Sequence, residues 1–157
     1  MPLLIAILVV VVDRISKIYV ESNFFEGQSI ALIKDYLNLT YIHNPGAAFG
    51  ILANETWLFI AVAALIVFLI AFFYESIKRE GAVFRYGIAA LVGGAIGNLI
   101  DRIISGAVTD FIQFPIWPIF NVADIAICVG AFLIVLSVLL DSYESSRYKM
   151  GRVIRHD

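Results

Sequence analysis

The sequence predicts an all-α membrane protein, a bundle of four transmembrane helices, and two observations predict it. Hydrophobic residues make up 61% of the chain and charged residues 15%. The mean hydropathy of +0.92 is far above that of a water-soluble domain of 157 residues. The apolar residues also gather into four runs, each of roughly 20 residues, the length a helix needs to cross a hydrocarbon core of about 30 Å. These runs cover residues 3–20, 57–74, 86–104 and 119–140, and the whole of 1–157 reads as a single integral membrane domain with an outer segment at 21–56.

The first run lacks the basic start and the A-x-A site of a cleavable signal peptide and holds Asp13, Arg14 and Lys17, so it is expected to stay in the mature protein. Asp13 and Lys17 are one helical turn apart and can pair, which lowers the cost of having both within a span. The long stem of Lys17 reads as snorkelling to the outer interface, whereas aspartate cannot snorkel far.

In "DYLNLTYIHN", the alternation of Leu37, Leu39 and Tyr41 with Asn38, Thr40 and Ile42 predicts a short half-buried strand or hairpin at the interface. "NPGAAFG" then breaks it. Pro45 and Gly46 stop the strand, and Ala47, Ala48 and Gly50 let a backbone approach a neighbour closely, although an ordinary turn re-entering the second run also accounts for the spacing.

The third run contains "GGAIGNLIDR". Gly93 and Gly97, four apart, form a groove for close helix packing, and Asn98, Asp101 and Arg102 follow on one helical face. Asp101 and Arg102 serve equally well to neutralise buried charge or to take part in chemistry. After it, "VTDFIQFPIWPIFNVAD" places Asp110 in a link stiffened by Pro115 and Pro118. Asp124 falls inside the fourth run, on one face with Asn121. A short link between antiparallel helices brings both carboxylates to one membrane level.

Basic residues fix the orientation. Lys78, Arg79 and Arg85 lie between the second and third runs, and Arg147, Lys149, Arg152 and Arg155 follow the fourth, while the link from Ser105 to Pro118 has none. Both termini are therefore expected in the cytoplasm, with Asp110 and Asp124 at the extracytoplasmic face. A net charge of −2 supplies no basic field for nucleic acid. Cys128 is the single cysteine, read as a buried thiol, which excludes an internal disulfide and a CxxC site. The two histidines, His43 and His156, cannot build a metal site beside the aspartates, because His156 lies in the tail; no metal or cofactor is expected.

Two carboxyl groups close together cannot both ionise, so they share a proton. One then acts as base toward water while the other donates to a carbonyl oxygen, the aspartic peptidase arrangement. Acidic residues in a bundle serve equally as a proton or ion path, so a small proton- or ion-coupled transport or channel subunit is the alternative. Such a protein would spread its acids over several depths, whereas Asp110, Asp124, Asn98 and Arg102 gather at one end. Neither a GxS serine motif in a span nor a GxGD motif is present.

In order along the chain, "DRISK", "NPGAAFG", "GNLIDR", "VTDF" and "FNVAD" resemble the lipoprotein signal peptidases, or type II signal peptidases, of bacteria. The resemblance implies a four-helix bundle with a small extracytoplasmic β-cradle, in the bacterial inner or cytoplasmic membrane. It implies an aspartic endopeptidase that removes the signal peptide from diacylglyceryl-modified prolipoproteins just before the lipidated cysteine. Asp110 and Asp124 match the catalytic pair, and Asp13, Lys17, Asn44, Gly46, Asn98, Arg102 and Asn121 match the polar residues that shape and support the site. The implied partners are the diacylglyceryl-prolipoproteins, membrane lipid and cyclic peptide inhibitors of the globomycin type.

Overall fold

The computed structural model describes residues 1–46, 52 and 55–153, with side chains as far as 143. Ala47, Ala48 and Gly50 of the close-approach segment and Arg155 of the tail lie outside the described residues, as do the side chains of Arg147, Lys149 and Arg152. The chain runs through α1 (Pro2–Asn23), β1 (Ser29–Ile33), β2 (Leu37–Asn44), α2 (Thr56–Phe72), the single turn α3 (Tyr74–Ile77), α4 (Ala82–Ser105), β3 (Val108–Gln113) and α5 (Val122–Val153). It is mostly helical, with one small antiparallel sheet in the order β1-β2-β3.

Helix α4 is the centre, packed by α1, α2 and α5, and its glycines explain why. A β-carbon on Gly93 would lie 2.8 Å from the Ala6 carbonyl oxygen of α1, and one on Gly94 would lie 2.3 Å from the Ala123 carbonyl oxygen of α5. Two backbones thus approach α4 as closely as helices can, where dispersion contacts and not water exclusion hold a membrane bundle together. The helix stops at Gly106, whose φ of 79° is the left-handed conformation and whose N–H bonds back to the Arg102 carbonyl. The Thr56 hydroxyl, at the start of α2, donates to the Gly106 carbonyl at 2.7 Å.

The outward faces of α1, α2 and α5 are apolar. Ile7, Leu8, Val11, Ile15, Leu65, Phe68, Phe132 and Val135 are all exposed, a continuous surface that needs a hydrocarbon surround. Two helical stretches, Ala82–Ser105 and Val122–Tyr143, are long and apolar enough to cross a membrane. Helix α2 is apolar but has 17 residues, and α1 includes Asp13, Arg14, Lys17 and Glu21.

The sheet differs from the expectation in one important respect. The strand read from Leu37 onward is present and runs to Asn44, pairing with β1 in a hairpin. The segment read as a link, however, supplies β3, which pairs with β2 so that Ile42 faces Asp110 and Asn44 faces Val108. Phe120 continues this edge, exchanging backbone hydrogen bonds with Ile112 at 2.8 and 3.0 Å. Ile119 and Phe120 therefore belong to the sheet's margin, and the last helix starts at Val122 instead of 119. Val20, Tyr41 and Phe111 form the small core that seats the sheet on the end of α1.

Candidate active site

Asp110 is buried on β3, with Phe111 beside it in that core. Asp124 stands in the first turn of α5, where the shortened helix makes it part of a cap. The Asp124 N–H donates to Asn121 Oδ1 at 3.0 Å, and the Asn121 N–H donates to Asp124 Oδ2 at 3.2 Å. This reciprocal capping box fixes the Asp124 side chain through the helix start itself.

Asn121 also joins the two carboxylates. Its Nδ2 donates to Asp110 Oδ1 at 2.7 Å while its backbone N–H holds Asp124, and no hydrogen bond runs directly between the aspartates among the described residues. Asn44 Nδ2 donates to the other Asp110 oxygen at 2.8 Å, and Asn98 Nδ2 donates to Asp124 Oδ1 at 2.7 Å. Each carboxyl group thus accepts two N–H bonds and keeps further lone pairs for a water or a substrate. Burial pushes the Asp110 carboxyl up to about 7; the negative charge of Asp124 pushes the same way, against hydrogen bonds from Asn44 and Asn121 and the charge of Lys17.

Lys17 does not snorkel. It is fully buried, with its ammonium 2.8 Å from Asp13 and 2.7 Å from Asp101, and it donates to Asn98 Oδ1 at 2.9 Å. An ammonium only donates, so Asn98 turns its oxygen to Lys17 and Asn121 and its amide nitrogen to Asp124. Asp13 in turn accepts the Ala123 N–H at 2.9 Å, satisfying a further orphan donor of α5's first turn. Asp101 takes Lys17 and Arg14, so two buried carboxylates face two cations. Such clusters contribute little net stability, but removing one partner costs about 3–5 kcal/mol.

Arg102 makes no ion pair with Asp101 among the described residues, since Asp101 is taken by Arg14 and Lys17. Its guanidinium donates to the Gly46 carbonyl at 3.1 Å and lies over the Phe59 ring, 4.6 Å from its centroid. Gly46 N–H donates to Asn44 Oδ1 at 3.0 Å, so Arg102, Gly46, Asn44 and Asp110 form one chain of contacts. Every residue expected at the site therefore lies in one network. Sequence reasoning gave no site role to Arg14 of "DRISK", or to Thr109 of "VTDF", whose hydroxyl donates to Glu21 at 2.6 Å; their partners Asp101 and Glu21 lie far away in the chain, so local spacing does not mark the contacts. Cys128 is exposed, not buried, and lines the cavity beside the aspartates.

That cavity, of about 410 Å³, has the two aspartates, Asn44, Asn98 and Arg102 at one end and Phe59, Val62, Ile66 and Ile127 along its length. Its wall comes from α2, from α4 and α5, and from β3 with Trp117, Pro118, Ile119 and Phe120, so an apolar slot runs beside the carboxylates between the helices.

The sequence profile of the signal peptidase (SPase) II family matches residues 5–140. The chain belongs to this family. It is 42% identical over 145 residues to the lipoprotein signal peptidase of Moorella thermoacetica, covering 92% of this chain and 97% of that protein. It is 42% identical over 144 residues to that of Pelotomaculum thermopropionicum, covering 92% and 95%. Its fold is similar to that of a bacterial membrane enzyme determined by the in meso method at 2.3 Å resolution, with a TM-score of 0.85 and 34% identity over 90% of this chain and 88% of that one.

Proposed function

We propose that this family member is an aspartic endopeptidase that cuts prolipoproteins just before the diacylglyceryl-modified cysteine, with Asp110 and Asp124 as its catalytic pair. The observation that carries the reading is the bridge made by Asn121, which holds two carboxyl groups at the polar end of an apolar slot. Asp110, with the raised proton affinity, is the acid, and Asp124, at the positive end of α5, is the base. Asp124 takes a proton from a water lying between them as its oxygen attacks the scissile carbonyl, and Asp110 gives its proton to the carbonyl oxygen. Asp124 then gives the proton it took to the leaving amine as the C–N bond breaks, and Asp110 regains its own from a hydroxyl of the tetrahedral intermediate.

The slot between α2 and α4 with α5 takes the apolar part of the substrate, and Arg102 with Gly46 and Asn44 sets the rim where the polar backbone crosses. Asp13, Lys17, Asn98 and Asn121 position the pair. All of 1–157 acts as one domain, in which α1, α2, α4 and α5 are four spans: α1 crosses because Arg14 and Lys17 pair with Asp101, and Asp13 with Lys17, inside the bundle. Both termini face the cytoplasm, and the sheet and the aspartates face outward, where translocated precursors emerge.

Purified protein incubated with a diacylglyceryl-prolipoprotein should release the signal peptide, and a cyclic peptide of the globomycin type should block release. Absence of cleavage by folded protein on the diacylated substrate would contradict the proposal.

A further inference from the structure

A second cavity, of about 610 Å³, lies at the other end of the helices, between α1 and α2 where both pack on α4. Its walls are apolar, with Leu3 from α1, Ile70 from α2 and Ile88 and Val92 from α4, and two cations, Lys78 and Arg85, line it as well. Lys78 is already paired, 3.1 Å from Glu75. Arg85 is different. Its Nε is buried and has no hydrogen-bond partner, and no carboxylate pairs with it among the described residues.

The residue as a whole is half-buried, and its buried Nε, left without an acceptor, carries a desolvation cost that an incoming anion would offset. Arg85 also stands in the first turn of α4, where the positive end of the helix dipole disfavours a cation unless an anion is near. Planar guanidinium donors match phosphate oxygens in two-point contact. An apolar slot between helices, with a cation in its wall, offers places for the two halves of an anionic phospholipid. Basic pockets between transmembrane helices bind such headgroups by the same chemistry.

We propose that this cavity is a binding site for one anionic phospholipid, with its acyl chains against Leu3, Ile70, Ile88 and Val92 and its phosphate on Arg85, with Lys78 beside it. The site needs only that the helices sit in a membrane and is independent of the roles given to Asp110 and Asp124. The lipid wedges α1 against α2 in the leaflet opposite the aspartates.

The test uses the full chain, delipidated in detergent and titrated with phosphatidylglycerol or phosphatidylcholine, with bound lipid counted by native mass spectrometry and thermal unfolding followed in parallel. Wild type should retain one phosphatidylglycerol at a concentration at least about tenfold below that needed for phosphatidylcholine, a difference of ~1.4 kcal/mol, and only the former should raise Tm. Arg85→Gln should abolish this preference while cleaving prolipoprotein at the wild-type rate, and Lys78→Gln, at a more exposed position, should weaken it if Arg85→Gln does not fold. Equal retention of the two lipids, or a preference that survives Arg85→Gln, overturns the proposal. So does a Tm rise of the same size with inorganic phosphate alone, which would make the occupant a free anion. An unchanged preference in Lys78→Gln, when that is the only variant that folds, overturns it too.

Discussion

At the scale of single residues, the site works by making donors and acceptors unambiguous. Lys17 and the backbone N–H of α5 can only donate, Asn98 and Asn121 pass that polarity on, and with Asn44 added each carboxyl group has two N–H partners. Asp110 must hold a proton to act as the acid, and its folded-state value is raised to about 7, chiefly by burial. A raised carboxyl is protonated below that value and loses its proton as pH rises through it. The kcat/KM profile for prolipoprotein cleavage should therefore fall on its alkaline side with a midpoint near 7; a rate that keeps climbing to pH 9 would show that Asp110 is not the acid. Arg102 sets the Gly46 peptide and stacks on Phe59. Lysine keeps the charge but neither the planar fork nor the stacking, so Arg102→Lys should lower kcat/KM by about tenfold, ~1.4 kcal/mol, without lowering Tm. Full activity in that variant would reduce Arg102 to charge balance. The residue types and their order made the aspartates legible in the sequence. Lys17 was misread because its partner Asp101 comes from another helix, and nothing in "DRISK" shows that a carboxylate approaches from outside.

At the scale of elements, helix starts and a strand carry the site, and these were the less legible parts. The third strand escapes sequence reading because Val108 through Phe111 are all buried, which removes the alternation that marks a strand, and because its partner β2 lies far earlier in the chain. Once β3 claims Asp110, and Phe120 joins its edge, the fourth apolar run loses its first residues to the sheet and Asp124 moves from inside the run to the capping box at its start. Close packing of α4 on α5 then decides where that cap sits. Gly94→Ala would set a β-carbon 2.3 Å from the Ala123 carbonyl oxygen and 2.8 Å from Ile127 Cγ1. The first of these is backbone and cannot swing aside, so overpacking of about 1–3 kcal/mol must displace the first turn of α5. Thermal unfolding in detergent should show a lower Tm together with reduced cleavage; an unchanged Tm and rate would mean that α5 tolerates a shift that the capping box forbids.

At the scale of the whole molecule, the chain separates a polar end from an apolar body. Composition alone made the membrane legible, and the family match agrees with it. The number of spans was counted from hydropathy, whereas α1 is held by ion pairs with Asp101 that hydropathy cannot see. Basic residues at Lys78 to Arg85 and in the tail predict the orientation. A reporter fused after Arg152 should read cytoplasmic and one inserted near Lys34 extracytoplasmic, and the reverse pattern would put the aspartates on the wrong side for a translocated precursor. The central claim is that Asp110 and Asp124 together hydrolyse the peptide bond, and do not merely tie β3 to α5 through Asn121. Single-turnover cleavage of a diacylglyceryl-prolipoprotein by Asp110→Asn and by Asp124→Asn, each checked for an unchanged Tm, tests it most directly. An amide can neither take a proton from water nor share one, so both folded variants should lose at least about a hundredfold in rate; cleavage near the wild-type rate by either would contradict the account.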